Sequence, residues 1–109
     1  MSNTWINLLG LARRAGQLVA GAQTVAAAIS RGRVALLIVA SDLSAASQKK
    51  LARLAQAHGV RMIVALDRHR LGLATNYPGR GVFGVTSKDF AQAILSSWQH
   101  LVEGGVHHS

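Results

Sequence analysis

Residues 34–40 read VALLIVA, and this stretch decides the fold. A strand with one wet face alternates apolar and polar residues, whereas this run never breaks. A β-compatible run without alternation predicts a strand covered on both faces, which in a small domain means a central strand between two helical layers. Working downstream, SDLSAASQ (41–48) predicts a loop with Ser44 as N-cap of a helix, since a serine hydroxyl can accept from a first-turn amide. Leu51, Leu54, Ala55 and His58 recur on its inner face, Gly59 ends it, and Lys49, Lys50 and Arg53 fall to a solvated outer face. VRMIVAL (60–66) predicts a second buried strand. Asp67 predicts the cap of a short helix through RHRLGLA (68–74), TNYPGRG (75–81) a loop, and VFGV (82–85) the last strand. Ser87 opens a final helix whose Phe90, Ile94, Leu95, Trp98 and Leu101 form an apolar stripe, with Asp89 at the favourable end of its dipole.

Upstream, Trp5, Leu8, Leu9, Ala12 and Ala15 recur at helical spacing and Gly16 supplies a stop. QLVAG (17–21) suits a short strand, Gly21 can take backbone angles other residues avoid, and a second helix follows with Ala22, Val25, Ala26 and Ile29 on one stripe, closed by Gly32. Helices thus alternate with strands along the chain. That order predicts an α/β protein, a three-layer α/β/α sandwich around about four strands. Residues 1–103 are expected to form one domain and 104–109 a flexible tail, because 109 residues fill a single core.

Half the residues are hydrophobic and 15% are charged, enough apolar surface to offset the entropy of ordering the chain. Twelve Lys and Arg against four Asp and Glu give a net charge of +8, which attracts polyanions before any specific contact forms. Nucleic acid is the leading partner class. No apolar run reaches the roughly 18 residues of a membrane span, and the first apolar stretch ends at Arg13 and Arg14 as in an amphipathic helix, so a soluble cytoplasmic protein is expected.

The chemistry of catalysis is poorly supplied. Cysteine is absent, which removes thiol nucleophiles and thiolate zinc ligands. No phosphate-binding loop, metal-binding His-Glu helix or serine elbow occurs, and Asp42 and Asp67 sit where turn or cap residues belong. Gly10, Gly16 and Gly21 follow a helix instead of a strand, unlike a dinucleotide-binding turn. His107 and His108 on a frayed tail do not make a metal site. No cofactor, metal or small-molecule substrate is expected.

Candidate RNA contacts remain. The start of the second helix, Gly21, Ala22, Gln23 and Thr24, combines unpaired N–H groups, a favourable dipole, an amide and a hydroxyl. Ordinary capping of the helix would use the same residues. Arg13 and Arg14 suit either dipole compensation at the end of the first helix or phosphate contact. Arg33 adds to the positive field, and Arg80 is presented on a Pro-Gly loop where a phosphate can approach.

The segments LLGLARRAGQLVAGAQTVAAAI (8–29), LLIVASDLSAASQKKL (36–51), RLGLA (70–74) and GVFGVT (81–86) resemble, in order and spacing, the YlxQ-type bacterial branch of the kink-turn RNA-binding ribosomal protein superfamily, the L-seven-Ae type. The likeness runs from about Leu8 to Leu95. It implies a four-stranded mixed sheet, no enzymatic activity, and RNA binding at the start of the second helix with help from the loop before the last strand. The implied partner is structured RNA, rRNA or another kink-turn-like RNA, with ribosomal or translation proteins as further candidates.

Relatives that read a kink-turn set Asn and Glu after a glycine, and a Lys one turn on, against sheared G·A pairs. Counted from Gly21, those places are held here by Gln23, Thr24 and Ala27, while Tyr77 to Arg80 match the second RNA-facing loop. Gln23 keeps an amide, Thr24 lacks the carboxylate and Ala27 lacks the cation. By analogy with base readout in DNA, two lost contacts weaken specific recognition on the order of one hundredfold or more. Attraction to phosphate survives them. The same loss of charge motivates an alternative function, a protein-interaction module within a ribonucleoprotein with only nonspecific RNA affinity.

Overall fold

The computed structural model describes residues 4–107, with the backbone alone for residues 102–107. Its elements are α1 (Thr4–Arg14), β1 (Leu18–Ala20), α2 (Ala22–Ser30), β2 (Leu36–Val39), α3 (Ala45–Ala57), β3 (Arg61–Val64), α4 (Arg68–Thr75), β4 (Val82–Val85) and α5 (Lys88–His107). The strands form one mixed sheet in the order β1-β4-β2-β3. β4 runs antiparallel to both β1 and β2, and β2 runs parallel to β3. The backbone of α5 thus continues into the segment expected as a tail, 104–109; residues 108 and 109, and the side chains of His107 and His108, lie outside the described residues.

The unbroken run of β2 is explained by its place. Leu36 and Ile38 join Leu9, Phe83, Leu71 and Ile94 in a core beneath α1, α4 and α5. Leu37 and Val39 point the other way, into a second core with Val25, Ile29, Leu51 and Ala55 from α2 and α3. The sheet therefore has a helical layer on each face, and the α/β/α expectation holds. Full burial of one such side chain contributes about 1.5–3 kcal/mol, so β2 and β4, buried at every position, anchor both layers.

Three sequence expectations give way. VRMIVAL is not a fully covered strand: β3 is the sheet edge, with Arg61 exposed and Val64 41% exposed. His58 is exposed and not on the inner face of α3, which it ends as C-cap. Ala15 and Ala22 are exposed as well, because the inward stripes of α1 and α2 are carried by Trp5, Leu9 and Ala12 and by Val25 and Ile29. Among the described residues no helix is long and apolar enough to cross a membrane.

Gly84 sets how closely α2 approaches the sheet. A Cβ there would stand 3.1 Å from both Val19 Cγ2 and Val34 Cγ2 and 3.3 Å from Val25 Cγ1. All three neighbours are valines, stiff about χ1, and they come from three separate segments. Gly84→Ala is therefore expected to destabilise the protein by about 1–3 kcal/mol through overpacking, read as a lower urea midpoint with an unchanged slope.

Candidate nucleic-acid interface

The sheet brings Gly21 to Thr24 and the loop of residues 76–81 together at one end. Ala20 pairs with Phe83, and the next amide, Gly21 N–H, donates to Val82 O at 2.9 Å. That bond carries the ladder one residue past β1 and sets the start of α2 beside the loop that enters β4. Gly21 has φ +100° and ψ 139°, angles a side chain resists. Its open α-carbon lies beneath Arg80: a Cβ would stand 3.1 Å from Arg80 Nη1. Gly21 itself is buried, so its part is positional.

Beyond it the helix mouth is open. Ala22, Gln23 and Thr24 are exposed, and no side chain caps α2. The contrast with later helices is sharp: Ser44 accepts from Ser47 N–H at the start of α3, Asp67 from Arg70 N–H at α4, and Ser87 from Phe90 N–H at α5. First-turn amides of α2 thus keep their donors, with the positive end of the helix dipole behind them. Ala27 is exposed one turn on from Gln23 and Thr24 and shares their face.

The loop of residues 76–81 is held from beneath. Arg80 N–H donates to Tyr77 O at 3.3 Å, closing a turn over Pro78 and Gly79. The Tyr77 ring lies tilted on Phe83, centroids 6.3 Å apart, and the Arg13 guanidinium sits 4.5 Å from the Tyr77 centroid. Such a cation–π contact contributes about 0.5–2 kcal/mol. Arg13 Nε is buried and makes no hydrogen bond to a described residue, so stacking holds the side chain in place. Arg13, Tyr77, Arg80 and Gly21 accordingly form one connected group.

Carboxylates stay out of it. Among the described residues the ion pairs are Arg68–Asp42 at 3.9 Å and Arg70–Asp67 at 3.6 Å. Asp42 also accepts from the Arg68 amide at 3.1 Å, so both acids serve the start of α4, as turn and cap residues. Neither neutralises Arg13, Arg14 or Arg80.

Three placements differ from the simplest sequence picture. Arg33 is not brought to this group: it follows the far end of α2, about 13 Å along a nine-residue helix, two residues before Ala35, whose amide donates to Val85 O. Lys50, assigned to a solvated face, shares a shallow cleft with Ala22, Gln23 and Ala26 between α2 and α3. It brings a cation to the start of α2 from another element, which helical periodicity within α3 had no means of showing. Arg14 is exposed beside the α1–α4 groove with Asn7 and Asn76 and makes no contact with the Gly21 group among the contacts described.

A mixed four-stranded sandwich with an uncapped, cation-flanked helix mouth defines the class, and residues 3–95 match the ribosomal protein L7Ae/L30e/S12e/Gadd45 family. The chain belongs to that family. Among its relatives, RNA-binding protein YlxQ of Bacillus subtilis (strain 168) is 32% identical over 92 residues, covering 84% of this chain and 92% of that protein. RNA-binding protein YlxQ of Enterococcus faecium is 29% identical over 99 residues, covering 91% of each. A solved structure from Bacillus halodurans, of a protein with unknown function, superposes with a TM-score of 0.85 at 33% identity, over 88% of this chain and 97% of that one. The Giardia lamblia 15.5kD RNA binding protein shares the fold, with a TM-score of 0.74 at 18% identity over 90% of this chain and 84% of that one.

Gly21→Ala places a side chain at a positive φ and against Arg80. The expected loss is about 1–3 kcal/mol of stability, measured by urea denaturation. An unchanged midpoint would mean that the backbone at this joint tolerates any residue.

Proposed function

We propose that the chain is a non-enzymatic RNA-binding protein of the ribosomal or translation machinery in the cytoplasm, which docks bent, structured RNA on the mouth of α2. The observation that carries this reading is the open first turn, Ala22 to Thr24, bordered by Arg80 and Lys50 and free of carboxylates. Unpaired N–H groups meet phosphate oxygens there, and Gln23 and Thr24 offer donors and acceptors to base edges. Tyr77 and Arg80 approach the same RNA from the loop, and Arg13 steadies Tyr77. The names of the YlxQ relatives support RNA as the ligand.

Kink-turn recognition is the finer part of the proposal. Lys50 supplies from α3 the positive charge that Ala27 lacks, and the Gln23 amide remains for a sheared pair. The test is titration of a kink-turn RNA, the same RNA with its G·A pairs replaced by Watson–Crick pairs, and a plain duplex, each at several salt concentrations. The expected order is kink-turn tightest, with all three weakening as salt rises. Equal affinities would contradict kink-turn reading, and no binding at low salt would contradict RNA binding altogether.

Two substitutions separate charge from geometry. Lys50→Ala and Arg80→Ala are each expected to reduce the log–log salt slope by about 1 and to leave stability within about 0.5 kcal/mol, since both side chains are exposed and outside the ion pairs described. Ala27→Lys is expected to strengthen kink-turn binding about tenfold and duplex binding less, a gain of roughly 1.4 kcal/mol set against bulk attraction. Equal gains on both RNAs would show that only net charge had changed.

A second reading, docking of a protein partner, is favoured by apolar exposure on another face. Leu73 is 72% exposed and Leu11 45%, on α4 and α1. If that face binds protein, partners captured from nuclease-treated lysate should be lost with Leu73→Lys and kept by Arg80→Ala.

A further inference from the structure

Arg33 plays no part at the mouth of α2, and at its own end of the sheet it has company. Leu36 is the register partner of both Arg61 on β3 and Val85 on β4, so the starts of β2 and β3 coincide with the finish of β4. Arg33 stands three residues before Leu36, and Lys88 three residues after Val85. Between them opens a cleft of about 400 Å³ whose walls include Val34, Leu36, His58, Val60, Lys88 and Gln92. Arg33 and Arg61 adjoin the wall residues Val34 and Val60, and Arg33, Arg61, His58 and Lys88 are all exposed.

Fold stability accounts for these cations unequally. Arg31, the C-cap of α2, and Arg33, whose amide donates to Ala28 O, both stand at the negative end of that helix dipole. Lys88 is at the opposite kind of position: it is the first residue of α5, where the dipole repels a cation. Arg61 begins an edge strand and faces apolar Leu36 across the ladder. Among the described residues none of the three, Arg33, Arg61 or Lys88, has a carboxylate partner; the ion-paired acids Asp42 and Asp67 follow the opposite ends of β2 and β3. A lysine at a helix start that repels it, with two further exposed and unpaired cations at the same end of the sheet, points to an anionic ligand.

We infer that this cleft binds the phosphate backbone of a second RNA segment, so that the molecule carries polyanion-binding poles at both ends of its sheet. Lys88 belongs to the cleft wall itself, and Arg33 and Arg61 stand one residue along the chain from its wall residues Val34 and Val60. Cations spread in this way suit a backbone with one charge per residue, which needs no side-chain pockets. It also accounts for a net charge of +8 that the mouth of α2 does not concentrate.

The experiment is an amide NMR titration of the full chain at low salt with a short RNA duplex lacking sheared G·A pairs, and in parallel with polyglutamate. Shifts at Arg33–Ala35, Gly59–Arg61 and Lys88 are expected with RNA, at concentrations where polyglutamate gives none. The variant R33E/R61E/K88E should lose those shifts, keep any at Ala22–Thr24, and reduce the salt slope of duplex binding by about 3, roughly one per cation. The wild-type titration decides the matter even if the variant fails to fold. Shifts confined to Ala22–Thr24 and Tyr77–Arg80 would overturn the second pole and leave the first intact. Shifts at the second pole alone would support it while removing the first. Polyglutamate moving the same amides at equal or lower concentration would replace RNA with an acidic protein and overturn the inference.

Discussion

The hydrogen bond from Gly21 N–H to Val82 O, 2.9 Å long, is the joint on which the candidate interface depends. It exists because β4 is inserted between β1 and β2, so that the last strand in sequence lies beside the first. The bond extends the β1–β4 ladder into the first residue before α2, and the chain then turns through a φ of +100°. From that single geometry follow the direction of α2 and the nearness of Arg80 to Gly21, at a helix mouth more than fifty residues earlier in the chain. Two cores, one on each side of β2 and β4, keep the joint from relaxing.

The electrostatics rest on what is left unpaired. Three helices spend a serine or aspartate oxygen on capping, and α2 spends none. The two described ion pairs gather at α4, which leaves Arg80 and Lys50 near the mouth with charge available to a ligand. Family membership gives this pattern a context, and the relatives named RNA-binding protein YlxQ cover most of the chain.

The layers were readable in the residues because burial on both faces leaves a direct mark: VALLIVA and VFGV have no polar position, and both prove central. VRMIVAL carries almost the same composition yet lies at the edge. Which strand is central depends on long-range pairing, and an apolar run has no separate signal for it; only Arg61 hinted at exposure. The same limit governed the site. Gly21, Gln23 and Thr24 could be found within one helix start, where spacing is local. The stacking of Arg13 on Tyr77 and the approach of Lys50 to Gln23 join segments far apart in sequence, and the separation of Arg33 from Gly21 depends on how α2 lies along the sheet.

Amide hydrogen exchange at Ala22, Gln23 and Thr24, with and without a kink-turn RNA, tests the central claim most directly. In the free protein these uncapped amides are expected to exchange rapidly, and bound RNA should slow them at least tenfold while the β2 amides stay unchanged. Equal exchange in the two states, with the RNA demonstrably bound, would place the ligand elsewhere and contradict the account.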